Sequence, residues 1–212
     1  MIDANPDLDA LYNFVESNDN IVVLTGAGAS VSSGIPTYRD MRGTWRGSPP
    51  ITHDEFLRQA SRRQRYWARS MLGWPGIRDA QPNAAHIALS QLEKTGKIQL
   101  LITQNVDRLH QRAGSNKVID LHGRLDRVRC ISCFQYYARE QIQLRLVRDN
   151  PWVNGASLRS RPDGDADVPE DWVSRITTPT CNDCEGLLMP DVVFFGGTVP
   201  RERVQTCMEA IE

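Results

Sequence analysis

The chain has 212 residues, enough for one large domain or two small ones. Its 25 Lys and Arg against 26 Asp and Glu leave a formal charge of −1, so no global field draws it to nucleic acid or to an anionic membrane. With 40% hydrophobic and 24% charged residues, the composition excludes wholesale disorder, and no apolar run approaches the roughly 18 residues of a membrane span.

In chain order, residues 7–18 place Leu8, Leu11, Tyr12 and Val15 at helical spacing, which predicts an amphipathic opening helix. Residues 21–24, Ile-Val-Val-Leu, read as a strand buried on both faces of a parallel sheet and run straight into Thr25-Gly-Ala-Gly-Ala-Ser30. Thr52-His-Asp-Glu55 has the capping-box pattern of a helix start. Further helices are predicted over 61–72 and over 83–95, the latter closed by Gly96. Residues 98–102 and 118–121 read as strands, with a short helix over 106–113 between them; this alternation indicates an α/β fold with a parallel sheet. After His122 the segment 130–184 turns polar and reads as loops around a small insert. Apolar character returns at 192–195, and 200–211 is a last helix.

Four features carry chemistry. Gly26 and Gly28 lack Cβ atoms, so backbone N–H groups after the first strand can approach a pyrophosphate; Arg39, in Gly34-Ile-Pro-Thr-Tyr-Arg39, supplies a positive charge for it. Val31 stands where a dinucleotide fingerprint would have its third glycine, and an ordinary structural turn is the competing reading. Two C-x-x-C pairs, Cys130/Cys133 and Cys181/Cys184, each put two thiolates on one turn. Four thiolates close a tetrahedral sphere, so the expected site is one structural zinc ion; Cys207 is left as a small hydrophobe. Gln104, Asn105 and Asp107 follow the second strand, where ligands of open α/β sheets bind, although Asp107 equally suits a helix cap. His122 lies just past the third strand, and Gly123 leaves room for its ring to act as a general base; His53, His86 and His110 fall in helical patterns and read as packing residues.

Gly26-Ala-Gly-Ala-Ser30, Gly34-Ile-Pro-Thr-Tyr-Arg39, Thr103-Gln-Asn-Val-Asp107, Leu121-His-Gly123, the two cysteine pairs and Pro190-Asp-Val-Val-Phe-Phe-Gly196 occur in that order. The chain thereby resembles the sirtuins, the NAD-dependent protein-lysine deacylases, over nearly its whole length. Arg62-Arg-Gln-Arg-Tyr-Trp-Ala-Arg69 and Pro162-Asp-Gly-Asp165 look most like the class II branch, which includes a mitochondrial sirtuin of animals and bacterial relatives.

The resemblance implies a Rossmann-type NAD-binding domain over 1–123 and 186–212, with a small zinc-binding lobe over 124–185. It also implies C-terminal strands of the family fold that this chain, ending at Glu212, lacks; the expected consequence is an uncovered sheet edge. Gly26, Ala27, Gly28, Ser30, Pro36, Tyr38, Arg39, Gln104, Asn105, Val106 and Asp107 would hold NAD. His122, as general base, and Asn105 would be the catalytic residues, and Val193, Phe194, Phe195 and Gly196 would pair with the substrate backbone as an added strand. The implied reaction moves the acyl group of a modified lysine onto ADP-ribose with release of nicotinamide. Tyr66 and Arg69, three apart on one helix face, match a pair that grips the distal carboxylate of acidic acyl chains, although an ordinary Arg-rich surface explains the same pattern. Arg108 and Gly197 depart from the family pattern, which usually has glycine and an acidic residue there.

The expected partners are acylated lysines of proteins, with no nucleic acid and no membrane; the oligomeric state is not legible. The acidic start, with neither a basic nor an apolar leader segment, points to a bacterial cytoplasm, the mitochondrial matrix being the alternative. A mono-ADP-ribosyltransferase of the same family, a non-catalytic NAD-binding fragment, a zinc-ribbon nucleic-acid binder and a nicotinamide oxidoreductase are the rival readings. The zinc ribbon leaves the glycine loop and His122 unexplained, and the oxidoreductase lacks its third glycine.

Overall fold

Local signals set most of the helices in the computed structural model, which describes residues 6–40, 42–44, 50–153, 160, 161, 165, 166 and 168–212. Helix α1 spans Pro6–Ser17, strand β1 Ile21–Thr25 and helix α2 His53–Arg58. The capping box forms as predicted, with the Glu55 amide donating to Thr52 Oγ1 (3.3 Å) and the Thr52 amide to Glu55 Oε2 (2.9 Å). Helix α3, Ala60–Asp79, runs seven residues past the predicted end and straight through Pro75. Proline has no N–H to offer the carbonyl four residues back, and Met71 O is instead bonded by Gln143 Nε2 at 2.7 Å. Neighbouring Ser70 O accepts from Arg139, so a second helix satisfies the turn that the proline opens. Helix α4, Ala84–Lys94, is capped by Asn83 and followed by Gly96 at φ +84°.

Strands β2 (Ile98–Thr103) and β3 (Val118–Asp120) join β1 in a parallel sheet of order β1-β2-β3, Thr25 facing Thr103 and Thr103 facing Asp120. Between β2 and β3, helix α5 is only Leu109–Arg112, shorter than predicted, because Arg108 turns to φ +67° before it. Strand β2 is the buried centre. Strand β1, expected to be buried on both faces, lies at an edge of this sheet, where Leu24 is 63% exposed.

The polar half of the chain is more ordered than its composition suggested. Strands β4 (Gly123–Cys130) and β5 (Tyr136–Ala138) are followed by α6 (Arg139–Asp149), then by the two-residue strands β6 (Ser160–Arg161) and β7 (Asp165–Ala166) and by α7 (Glu170–Arg175). Strand β8, Leu188–Val192, packs antiparallel on β4, giving a second sheet of order β5-β4-β8, and α8 covers Arg201–Glu209. Strands β4 and β8 thus pair across both boundaries expected for the zinc lobe. The loop reading failed there because α6 presents a narrow apolar stripe, Ile142 and Leu146, among charged residues. That stripe meets Trp67 and Met71 of α3 with Val128 and Cys130 of β4 in one core; a fully buried side chain of this size contributes about 2–3 kcal/mol. The segment Pro162-Asp-Gly-Asp165 falls largely outside the described residues. Among the described residues no helix is long and apolar enough to cross a membrane.

Candidate active site

Strand β1 empties into Gly26 and a 3-10 helix over Ala27–Ser33, closed by Gly34 in the left-handed region at φ +86°. A Cβ at Gly28 would meet no heavy atom within 4 Å, and one at Gly26 only Gln104 Oε1 at 3.9 Å. Internal packing therefore does not demand these glycines, and the bare backbone faces open space into which a phosphate can come close.

The ends of β1 and β2 are tied together through side chains. Asn105 Nδ2 donates to Gly26 O and to Ser30 Oγ, each at 3.0 Å. Ser30, 1% exposed, donates its hydroxyl to Asp107 Oδ2 at 2.6 Å. Asp107 is not the N-cap of α5, which is Arg108, but from one position earlier its Oδ1 accepts the Leu109 amide at 2.9 Å while Oδ2 faces the glycine loop. Ala27, Ser30, Ile35, Pro36, Asn105 and Asp107 line one small cavity, walled further by Ile77 and Val106. Its lining combines apolar groups with the Asn105 amide, the Ser30 hydroxyl and the Asp107 carboxylate.

His122 sits in the turn between β3 and β4. Its Nδ1 lies 3.2 Å from Gln104 O, an acceptor only, so Nδ1 carries a proton and the lone pair of the neutral ring is the one on Nε2. The Leu121 amide bonds Thr103 O (2.8 Å) and the Val193 amide bonds His122 O (2.7 Å), fixing the backbone on both sides. Gly123 is glycine for a different reason from ring access: at φ +87°, a Cβ would overlap the Asp191 carbonyl oxygen of β8. Gly26, Asn105, Gln104 and His122 thereby form one chain of neighbours across the carboxyl ends of the parallel strands.

The candidate substrate edge is less extended than expected. Strand β8 ends at Val192, and Phe194–Gly197 forms a turn closed by Gly197 N–H to Phe194 O (2.8 Å), with Gly196 at φ +73°. Phe195 O is already taken by the His53 amide at 2.9 Å. Phe194 is buried against Phe56 and Tyr66, with centroids 4.9 and 5.4 Å away, while exposed Phe195 meets Tyr38 of the glycine-loop side edge-on at 5.5 Å. Arg39 is exposed on the same loop. One turn beyond Tyr66, Arg69 Nε donates to Ala166 O at 3.2 Å. The rest of the arginine run is engaged locally: Arg62 with Glu55, Arg63 with Phe56 O and Leu57 O, Arg65 with Glu170.

The four cysteines converge. Their sulfurs all lie within 4.8 Å of one another, with Cys130–Cys184 and Cys133–Cys181 each at 3.6 Å. Four sulfurs about 2.3 Å from a tetrahedral zinc stand about 3.8 Å apart, so the cluster fits one structural zinc ion. Each pair is followed by a residue at positive φ, Phe134 and Glu185, which folds both turns alike. Gly186 is required because a Cβ would crowd Ser132 and Cys130 Sγ. Tyr137 Oη, 3.1 Å from Cys181 Sγ, pulls that thiol down to about 6.

Sequence reasoning missed a buried polar thread beneath the glycine loop: Asn83, His86, His110, Thr25 and Thr103. Its one legible signal was the N-cap position of Asn83.

Comparison with known proteins agrees with this geometry. The Sir2 family profile matches residues 26–212. An NAD-dependent protein deacetylase of Xanthomonas campestris pv. campestris (strain 8004) is 54% identical over 196 residues, covering 92% of this chain and 67% of the relative. A deacetylase of Bordetella bronchiseptica is 50% identical over 206 residues, covering 97% of this chain and 75% of that one. Among solved structures, a Sir2–p53 peptide–NAD+ complex superposes with a TM-score of 0.70 at 30% identity, over 96% of this chain and 70% of that chain. The chain belongs to the Sir2 family, the sirtuins. It is an NAD-dependent enzyme of that family, built on the Rossmann-like α/β fold.

Proposed function

We propose that this chain removes acyl groups from protein lysines, with His122 as general base and the glycine loop and β2 end as the NAD site. The observation that carries the reading is the orientation of His122: with Nδ1–H committed to Gln104 O, its basic nitrogen is Nε2, beside the strand ends that hold the loop. NAD, when bound, supplies a glycosidic bond to a good leaving group and the ribose that receives the acyl group. Gly26, Ala27, Gly28 and Ser30 would hold its phosphates and adjoining ribose, with Arg39 balancing their charge. Pro36, Val106, Asn105 and Asp107 would enclose the nicotinamide end, Asn105 keeping Ser30 and Gly26 in place. Tyr38 and Gln104 would close the flanks. His122 Nε2 takes up the proton of a hydroxyl presented above β2 and β3, a role worth about 10²–10⁴-fold in rate. Val193 to Gly196 would receive the backbone of an acylated protein as an added strand. The division into a Rossmann part and a zinc lobe belongs to this reading, β4 and β8 being their shared seam. Bacterial relatives support a cytoplasmic site of action.

The acyl preference is the finer part of the proposal. Tyr66 packs against Phe194, a candidate substrate residue, and Arg69, which also donates to Ala166 O, follows one turn later on α3; this phenol and guanidinium would contact an acidic or branched acyl chain. Incubation with NAD and acetyl-, glutaryl- and hydroxymethylglutaryl-lysine peptides tests both parts. NAD-dependent acyl loss that falls at least about 100-fold in His122→Ala is the expected result. Absence of turnover on every peptide sinks the deacylase reading, and clear acetyl preference sinks the acidic clamp alone.

A further inference from the structure

The buried polar thread supplies an inference that rests on the NAD-site reading. The Asn83 side chain uses its whole hydrogen-bonding capacity in two directions. Its Oδ1 accepts the Ala85 and His86 amides (3.0 and 3.4 Å), capping α4. Its Nδ2 donates to Ala29 O (2.8 Å) and Ser33 Oγ (3.0 Å), inside the 3-10 helix that follows Gly26. Capping needs only the oxygen, so the nitrogen is free to act on the loop. Asn105 holds that same loop from the opposite side, at Gly26 O and Ser30 Oγ.

Behind Asn83 the thread fixes its own proton positions. The Asn83 amide donates to His86 Nδ1 (3.3 Å), so His86 is neutral with its proton on Nε2. The Thr25 hydroxyl has one hydrogen and gives it to Thr103 Oγ1 (2.9 Å), so it accepts from His110 Nε2 (2.9 Å), while burial and the neighbouring His86 keep the His110 ring neutral. The two rings stand 4.7 Å apart, fully buried, and Thr103 Oγ1 then accepts the Asn105 amide at 3.1 Å. Two hydrogen-bonded runs, one from the α4 cap and one from the other clasp of the loop, therefore meet at the packed histidine rings, where His86 Nε2 and His110 Nδ1 have no hydrogen-bond partner among the described residues.

We infer that Asn83 is a positioning residue for the NAD site: its carboxamide nitrogen clasps the glycine loop to the start of α4, holding the phosphate-facing backbone in its binding shape. Aspartate and serine at 83 both keep an N-cap oxygen but lose the clasp, and serine does so without adding charge near the phosphates. The experiment measures, for Asn83→Asp, Asn83→Ser and the parent chain, the thermal midpoint, amide hydrogen exchange over 26–35 and over α4, and the dissociation constant for NAD. Thermal midpoints should stay within a few degrees of the parent, while exchange over 26–35 speeds up about tenfold, α4 is unchanged and NAD binds about tenfold more weakly. Parental exchange over 26–35 in both variants overturns the inference, as does faster exchange shared equally by α4, which would make Asn83 a cap only. A parent chain that binds no NAD defeats the functional reading instead, and the exchange comparison still decides the clasp.

Discussion

At the scale of single residues, close backbone approach and burial decide more than exposure does. Gly123 lets β4 cross β8 at the turn that carries His122. Gly123→Ala combines a positive φ with a clash against the Asp191 carbonyl, and should destabilise by more than about 2 kcal/mol in urea unfolding. His110 titrates from the opposite cause. Burial and the neighbouring His86 push it down from 6.5 to about 4, against a smaller raising pull from Asp107. Between those values the unfolded chain holds a proton that the folded chain does not. The stabilisation is therefore complete above about pH 6.5 and falls as the pH drops toward 4, by no more than about 3 kcal/mol; His86, lowered by its own burial, adds in the same direction. Unfolding free energies at pH 5 and 7 should show this slope, and His110→Gln should flatten it.

Between elements, the contact of α3 with α6 is unusual in being polar at its centre. Arg139, 1% exposed, bonds Ser70 O and Oγ at 3.1 Å and lies over the rings of Trp67 and Trp74. Burial brings its guanidinium down to about 10. It fills the turn opened by Pro75 together with Gln143, which is why a proline is tolerated inside a 20-residue helix, four residues before its end. The cysteine turns depend on a different bond. Two segments 47 residues apart in sequence meet through four sulfurs, and thiolates this close repel without a cation between them. The purified chain should carry one zinc per molecule by elemental analysis. Stripping it with a chelator, or Cys181→Ser, should lower the thermal midpoint by more than about 5 °C and weaken the near-ultraviolet signal of the Trp152–Trp172 pair.

Across the whole molecule, apolar surface is unevenly distributed. Leu8, Leu11, Tyr12 and Phe14 of α1, Leu24 of β1, and Val204, Met208 and Ile211 at α8 are all exposed, and Phe14, Ile21, Val22 and Ile211 border one open groove. Isolated exposed leucines are ordinary, but a contiguous group marks a surface that other apolar groups will cover. The 212-residue chain should therefore bind a hydrophobic dye in the folded state and grow in apparent mass with concentration by light scattering. A monodisperse monomer without dye binding would contradict this.

The order of motifs was legible because each rests on local chemistry: the capping box at Thr52, glycines after a β-branched run, paired cysteines, a histidine at a strand end. Those features do not need the rest of the chain in order to be recognised. The helix at Arg139–Asp149, the passage of α3 through Pro75, the edge position of β1 and the turn at Phe194–Gly197 were decided by tertiary structure. Each depends on a partner far away in sequence: a carbonyl needing a donor, a strand lacking a neighbour, an apolar stripe too narrow to stand out until a core covers it. The same holds for Asn83, whose cap position is a property of sequence but whose grip on the glycine loop exists only once α4 packs beneath it.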